Sequence, residues 1–205
     1  MNYNELFSQV VHRSKASAIR ELLKVIARPD IISFAGGLPD PELFPTKDVS
    51  AIMQDVLDES PKAALQYGTT EGFLALRQEL VKLLKETEGI TATPDQLVMV
   101  SASQQALDMT ARLFVNPGDP IITACPTYLG ALQAFHVAGA HIIGAASDDY
   151  GILAEDLEAK LARLKAAGKT CKFIYLVPDF QNPTGTTIPE ERRVKILEIA
   201  KKYHT

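Results

Sequence analysis

Cysteine is scarce in this 205-residue chain: Cys125 and Cys171 stand far apart and in no C-x-x-C spacing. That excludes a disulfide framework and a thiolate zinc site, and it fits free thiols in a reducing compartment. Histidine is almost as sparse. His12, His136, His141 and His204 form no H-x-x-x-H or H-E-x-x-H pair, so no metal site is expected. No run of about eighteen apolar residues occurs, so no helix is expected to span a membrane. Residues 1–17 are polar and mixed and do not read as a secretory signal. Positive charge is also short: 21 Lys and Arg against 25 Asp and Glu leave a net charge of −4. That argues against nucleic acid or an anionic membrane as the main partner, and a cytoplasmic protein is expected.

What is present is ordinary globular composition, 46% hydrophobic and 22% charged, in a chain long enough to bury a sizeable core. Ile19, Leu22, Leu23 and Ile26 make the stripe of an amphipathic helix that Arg28-Pro29 ends. A strand-like run, Ile31-Ile32-Ser33-Phe34, leads into the loop Ala35-Gly36-Gly37-Leu38-Pro39. Thr46 is the expected cap of a helix with Val49, Ile52, Met53, Val56 and Leu57 on one face. After the polar loop around Tyr67, Phe73, Leu76, Leu80, Leu83 and Leu84 repeat the helical spacing. From Leu97 the texture becomes alternating: strands are predicted at 97–101, 121–124, 141–145 and 173–177, helices at 103–115, 128–138 and 154–165. Asn116-Pro117-Gly118-Asp119-Pro120 and Asp148-Asp149-Tyr150-Gly151 supply turns. Short apolar strands between helices imply a largely parallel sheet covered on both faces. A last helix, 189–203, is predicted to turn Val194, Leu197 and Ala200 inward. A crossover helix normally delivers the chain to another strand, so the sequence is expected to stop in mid-domain.

Three segments hold chemistry-bearing residues at the ends of predicted strands. Ser101-Ala102-Ser103-Gln104-Gln105 turns from strand to helix, where free backbone N–H groups and the positive helix end suit a phosphate. Ser103 adds a hydroxyl donor or serves only as the N-cap, and no G-x-G-x-x-G or G-K-[ST] accompanies it. Cys125-Pro126-Thr127-Tyr128 offers an aromatic that stacks on a flat ring or packs in the core. Cys125 itself reads as a buried small apolar residue and not a nucleophile. In Gln181-Asn182-Pro183-Thr184-Gly185, the proline holds Asn182 extended with its amide aimed, although the same residues also spell a turn.

Together with Ser33-Phe34-Ala35-Gly36-Gly37-Leu38-Pro39 and Gln66-Tyr67-Gly68-Thr69-Thr70-Glu71-Gly72, these segments stand in a telling order and spacing. The chain resembles the fold-type I pyridoxal-phosphate (PLP) aminotransferases of class I/II, in the branch of 2-aminoadipate aminotransferase and the catalytic domains of MocR-type regulators. The likeness runs from about Ser14 to Thr205. It implies an α/β fold that is the N-terminal part of a PLP-dependent transferase large domain, preceded by a helical arm. Residues 1–45 would be the arm and substrate-side segment, and residues 46–205 a partial PLP-binding domain.

The resemblance also implies roles. Ala102, Ser103 and Gln104 would hold the phosphate of pyridoxal 5'-phosphate, Tyr128 would stack on its ring and Asn182 would hydrogen-bond its phenolic oxygen. Tyr67 would reach the phosphate of a neighbouring subunit in a homodimer. Gly37 would lie by the substrate carboxylate, with Ser17 and Arg20 recognising the substrate's distal end. Family members move an amino group between an amino acid and a 2-oxo acid, with the cofactor as electron sink. The Schiff-base lysine, the pyridine-facing aspartate and the carboxylate-binding arginine are expected after Thr205. Lys195, Lys201 and Lys202 read as the solvated side of the last helix, and Asp179 does not match the pyridine partner. The chain alone is therefore expected to bind cofactor groups without transaminating. The rival readings are an effector-binding part of a transcription regulator, a non-catalytic remnant or interaction module, and a generic phosphate-binding α/β protein.

Overall fold

The structure, a computed structural model, describes residues 3–13 and 39–205. The first-helix stripe, the strand-like run at 31–34 and the positions Ser17, Arg20 and Gly37 lie outside the described residues. The described chain falls into two units, residues 39–100 on the one hand and residues 3–13 with 101–205 on the other.

A short helix, α1 (Gln9–Arg13), belongs to the second unit, where Arg13 Nε donates to the Val137 carbonyl at 3.3 Å. The first unit is helical: α2 (Thr46–Glu59), α3 (Pro61–Ala64) and α4 (Leu74–Glu88). Thr46 is the first residue of α2, not its cap. Pro45 takes that place without a side-chain cap bond, because its fixed φ suits a helix entrance. The apolar face predicted for α2 is present but uncovered: Ile52 and Met53 are 61% and 60% exposed. Leu80 and Leu84 of α4 are half-buried. Among the described residues of this unit only Arg77 is buried. It donates to the carbonyls of Gly72 (3.2 Å) and Pro94 (2.7 Å) and so closes the polar loop at 69–72 against the segment after α4.

In the second unit α5 (Ala102–Phe114), β1 (Pro120–Cys125), α6 (Leu129–Ala138), β2 (His141–Asp148), β3 (Gly151–Ile152), α7 (Ala154–Ala166), β4 (Ile174–Tyr175) and α8 (Glu190–Tyr203) follow in order. The sheet order is β3-β2-β1-β4. β1 pairs in parallel with β2, from Pro120 beside His141 to Cys125 beside Ala146, and with β4 at Ile122–Ile174 and Thr123–Tyr175. Among the described strands only the β2–β3 hairpin is antiparallel, its turn made by the predicted Asp148–Gly151 segment. The alternation of β1 divides the core. Ile121 packs with Ala111, Val115, Ala131 and Phe135 under α5 and α6, whereas Ile122 packs with Leu157, Leu161, Ile196 and Ile199 under α7 and α8. Helices therefore cover both faces, as expected of a mostly parallel sheet.

Two further expectations fail. Residues 97–100 form no strand, since a strand exists through its ladder and no ladder is formed by these residues. In α8 the inward residues are Ile196 and Ile199, while Val194 and Leu197 are 50% and 68% exposed. The helix carries two apolar stripes. Its phase is set by Arg192, which reaches both carboxylate oxygens of Asp148 (2.6 and 3.0 Å) and the Gly151 carbonyl (3.2 Å) on the β2–β3 hairpin. No described helix is long and apolar enough to cross a membrane.

Candidate functional site

Three of the segments singled out in the sequence meet within the second unit, at the carboxyl edge of β1 and β4. The first is the start of α5. Ser101 stands at its cap, and its N–H is taken by the Gln105 side-chain oxygen at 2.5 Å. Ala102, Ser103 and Gln104 form the exposed first turn, whose N–H groups have no partner within a helix. Ser103 is inside the helix and so is not its N-cap. Ala102 has φ +59°, a left-handed conformation that costs an L side chain about 1–2 kcal/mol.

The second segment follows β1. Tyr128 caps α6 and is half-buried against the Phe135 cluster. Its ring lies over Gly130, where an added Cβ would stand 2.6 Å from the ring carbons, so the absence of a side chain there makes room for the ring. Gln104 Nε2 donates to the Gly130 carbonyl at 3.2 Å, which ties the start of α5 to the start of α6. Thr127 is buried and its Oγ1 has no hydrogen-bond partner. Tyr175 of β4 packs on the same cluster, edge-on to Phe135 at 5.3 Å. Burial, and then neighbouring Tyr128, push its hydroxyl above the ordinary tyrosine range. Cys125 is exposed, contrary to expectation, because as the last residue of β1 it lies past the cover of the helices. Cys171 is the buried thiol, and burial pushes it up.

The third segment follows β4. Asn182 is exposed and lies in a turn, not an extended stretch. The Gln181 side chain draws the segment round by accepting from the Thr184 N–H (2.8 Å) and hydroxyl (2.6 Å), and the Gly185 N–H closes on the Gln181 carbonyl. Gln181 Nε2 then donates to the Pro126 carbonyl at 2.9 Å, joining this loop to the one that carries Tyr128. The base of the loop is stapled by the Ile188 N–H to the Pro178 carbonyl (2.8 Å) and by Arg193, which donates to the Ile188 carbonyl (2.7 Å) and grips Asp179 with two nitrogens. That grip holds the Asp179 carboxyl below the usual range, so this aspartate is engaged in structure.

Tyr67 stands in the other unit, 99% exposed. Lys195 and Lys202 are on the solvated side of α8, as expected, where they pair with Glu155 and Glu158 of α7. Gln181, Arg193 and Thr127 received no role from the sequence. Gln181 was visible only as a letter of its motif, and no spacing rule marks Arg193 as the staple of a loop that starts fifteen residues upstream.

An anion-ready helix start, a shelved aromatic ring and an exposed amide now share one edge of a mostly parallel sheet. Comparison with known proteins shows what the chain as a whole is similar to. The model of the aminotransferase class I and II family matches residues 30–205. An aromatic-amino-acid aminotransferase of Thermococcus litoralis is 44% identical over 203 residues, which cover 99% of this chain and 49% of the relative. A 2-aminoadipate transaminase of Thermus thermophilus is 38% identical over 199 residues, 97% of this chain and 47% of its own. The crystal structure of a multiple substrate aminotransferase from Thermococcus profundus matches with a TM-score of 0.91 at 43% identity, over 100% of this chain and 51% of the other. The chain spans about half the length of the curated relatives it matches. With the family model matching most of its length and the fold in agreement, this chain belongs to the class I and II aminotransferases.

Proposed function

We propose that the chain supplies the cofactor-holding part of a PLP-dependent transamination between an amino acid and a 2-oxo acid, carried out by a protein of its relatives' length. The observation that carries the reading is the convergence of the α5 start, Tyr128 and Asn182 through the Gln104–Gly130 and Gln181–Pro126 hydrogen bonds. Three features fit a phosphorylated aromatic ring. The first turn of α5 offers N–H donors and the Ser103 hydroxyl to a phosphate. Gly130 leaves space for the Tyr128 ring, and the buried Thr127 Oγ1 lacks a partner.

In this reading Ala102, Ser103 and Gln104 bind the phosphate, Tyr128 stacks on the ring and orients it, and the Asn182 amide donates to its phenolic oxygen. Pyridoxal 5'-phosphate supplies the electron sink that such a reaction needs. Tyr67 contributes to the phosphate site of a second copy in a homodimer, which accounts for its exposure here. Gly37, Ser17 and Arg20 face the substrate. Residues 1–45 serve as arm and substrate-side segment, residues 46–205 as the beginning of the large domain, and the cytoplasm as the compartment. None of the thirteen lysines is assigned the covalent role.

Equilibrium dialysis of the 205-residue chain with pyridoxamine 5'-phosphate, which cannot condense with surface lysines, tests the cofactor site. Saturable binding is expected, weakened about tenfold by Tyr128→Ala, the equivalent of one stacking contact. Gly130→Ala is expected to displace the Tyr128 ring and weaken binding with little loss of stability. Absence of saturable binding sinks the proposal. A second reading, a non-catalytic interaction module, draws on the groove of about 490 Å³ beside the exposed Phe44, Val49, Met53 and Leu57. Sedimentation as a compact monomer counts against it.

A further inference from the structure

We infer that Gln181 is a positioning residue that sets Tyr128 and Asn182 relative to one another, so that a ring meets both together; this rests on the cofactor reading above. Gln181 is 6% exposed, and its side-chain amide has two N–H donors and two acceptor lone pairs. Both acceptor positions are used locally, on the N–H and hydroxyl of Thr184, and they fix the turn that presents Asn182. One donor crosses to the Pro126 carbonyl, 55 residues away in sequence and two residues before Tyr128. Neither loop has a regular ladder beyond the ends of β1 and β4, where pairing stops at Cys125 and Tyr175. Arg193 and the Ile188–Pro178 bond hold only the base of the second loop. The Gln181–Pro126 hydrogen bond is thus what joins the aromatic to the amide across the edge, while the phosphate donors on α5 are held by Gln105 at Ser101 and by Gln104 at Gly130, neither of which involves Gln181.

This division predicts a split in binding. Gln181→Met fills the same space with no hydrogen bond. In the full chain it is expected to weaken pyridoxamine 5'-phosphate about tenfold while inorganic phosphate affinity stays within about twofold. Because Gln181 acts through the two ring contacts, adding Gln181→Met to a Tyr128→Ala/Asn182→Ala background is expected to cost less than about twofold more. Should Gln181→Met fail to fold, Gln181→Glu keeps the acceptors for Thr184 but as a carboxylate has no proton for Pro126, and the same tenfold loss is expected. Thr184→Val loses the hydroxyl bond but keeps both the Thr184 N–H bond that holds the turn and the Pro126 bond, and is expected to bind within about twofold of wild type. Unchanged pyridoxamine phosphate affinity in Gln181→Met or Gln181→Glu, or an equal loss in the doubly substituted background, overturns the inference alone. A wild-type chain that binds phosphate but not pyridoxamine phosphate overturns the cofactor reading and this inference with it.

Discussion

The two units use amphipathic helices in opposite ways. In the unit of residues 101–205, α7 turns Leu157 and Leu161 into a core where they are 0% and 2% exposed, because the sheet beneath offers Ile122, Ala145 and Ile152 as partners. In residues 39–100, α2 carries an equally regular stripe, yet its residues remain open to solvent among the described contacts. Periodicity states that a helix has a face to hide and says nothing about what hides it. The described core therefore lies in the second unit, and the candidate cofactor edge is built on it.

The sharpest way to break this comparison is a pair of truncations. Leu157→Ala is expected to lower stability by about 2–5 kcal/mol, and Met53→Ala to change it by no more than about 0.5 kcal/mol. Urea unfolding decides, and equal losses would abolish the contrast. A smaller effect is expected at the β2–β3 hairpin. Hydrogen bonds from Arg192 hold the Asp148 carboxyl below its ordinary range. A carboxylate whose pKa is lower in the fold than in the unfolded chain stabilises fully above about pH 4, and the contribution is lost as pH falls through the folded value. Asp148→Asn should therefore unfold more readily than wild type at pH 7, with the gap closing toward pH 3. Ala102→Gly comes next: relief of the left-handed backbone should raise stability by about 0.5–1 kcal/mol net of the glycine's greater unfolded freedom. Thermal unfolding checks it, and a lower midpoint would mean that the strain is absent. The last prediction leaves stability untouched. A thiol reagent should modify exposed Cys125 in the folded chain and reach Cys171 only after denaturant is added, as mass spectrometry of the labelled peptides would report.

Much of the second unit was legible in its sequence because local and tertiary signals agree there. The helix predicted at 154–165 forms and buries Ala154, Leu157, Leu161 and Leu164, and the runs at 121–124 and 141–145 lie inside β1 and β2. What was illegible depends on partners distant in sequence. The phase of α8 is fixed by Arg192 reaching Asp148, 44 residues away, and two competing stripes gave periodicity no means to choose. Residues 97–101 have strand-like composition, but the single bond from the Met99 N–H to the Glu71 carbonyl (2.9 Å) does not extend into a ladder among the described residues. At the site, Tyr128 and Asn182 stood out by residue type and by their place after strands. Gln181 did not, since its importance lies in one hydrogen bond to a carbonyl, and every residue has a carbonyl.

The packing around Phe135 has an optical consequence. The protein contains no tryptophan and six tyrosines. Tyr67 and Tyr150 face solvent, whereas Tyr128 and Tyr175 lie in the asymmetric surroundings of the Phe135 cluster at the sheet's carboxyl edge. Chiral packing gives such phenols their near-ultraviolet dichroism, and no indole band overlies it. A ring arriving beside Tyr128 would change that signal at its source, so the chain carries a native reporter of its own candidate site and needs no dye to follow binding there.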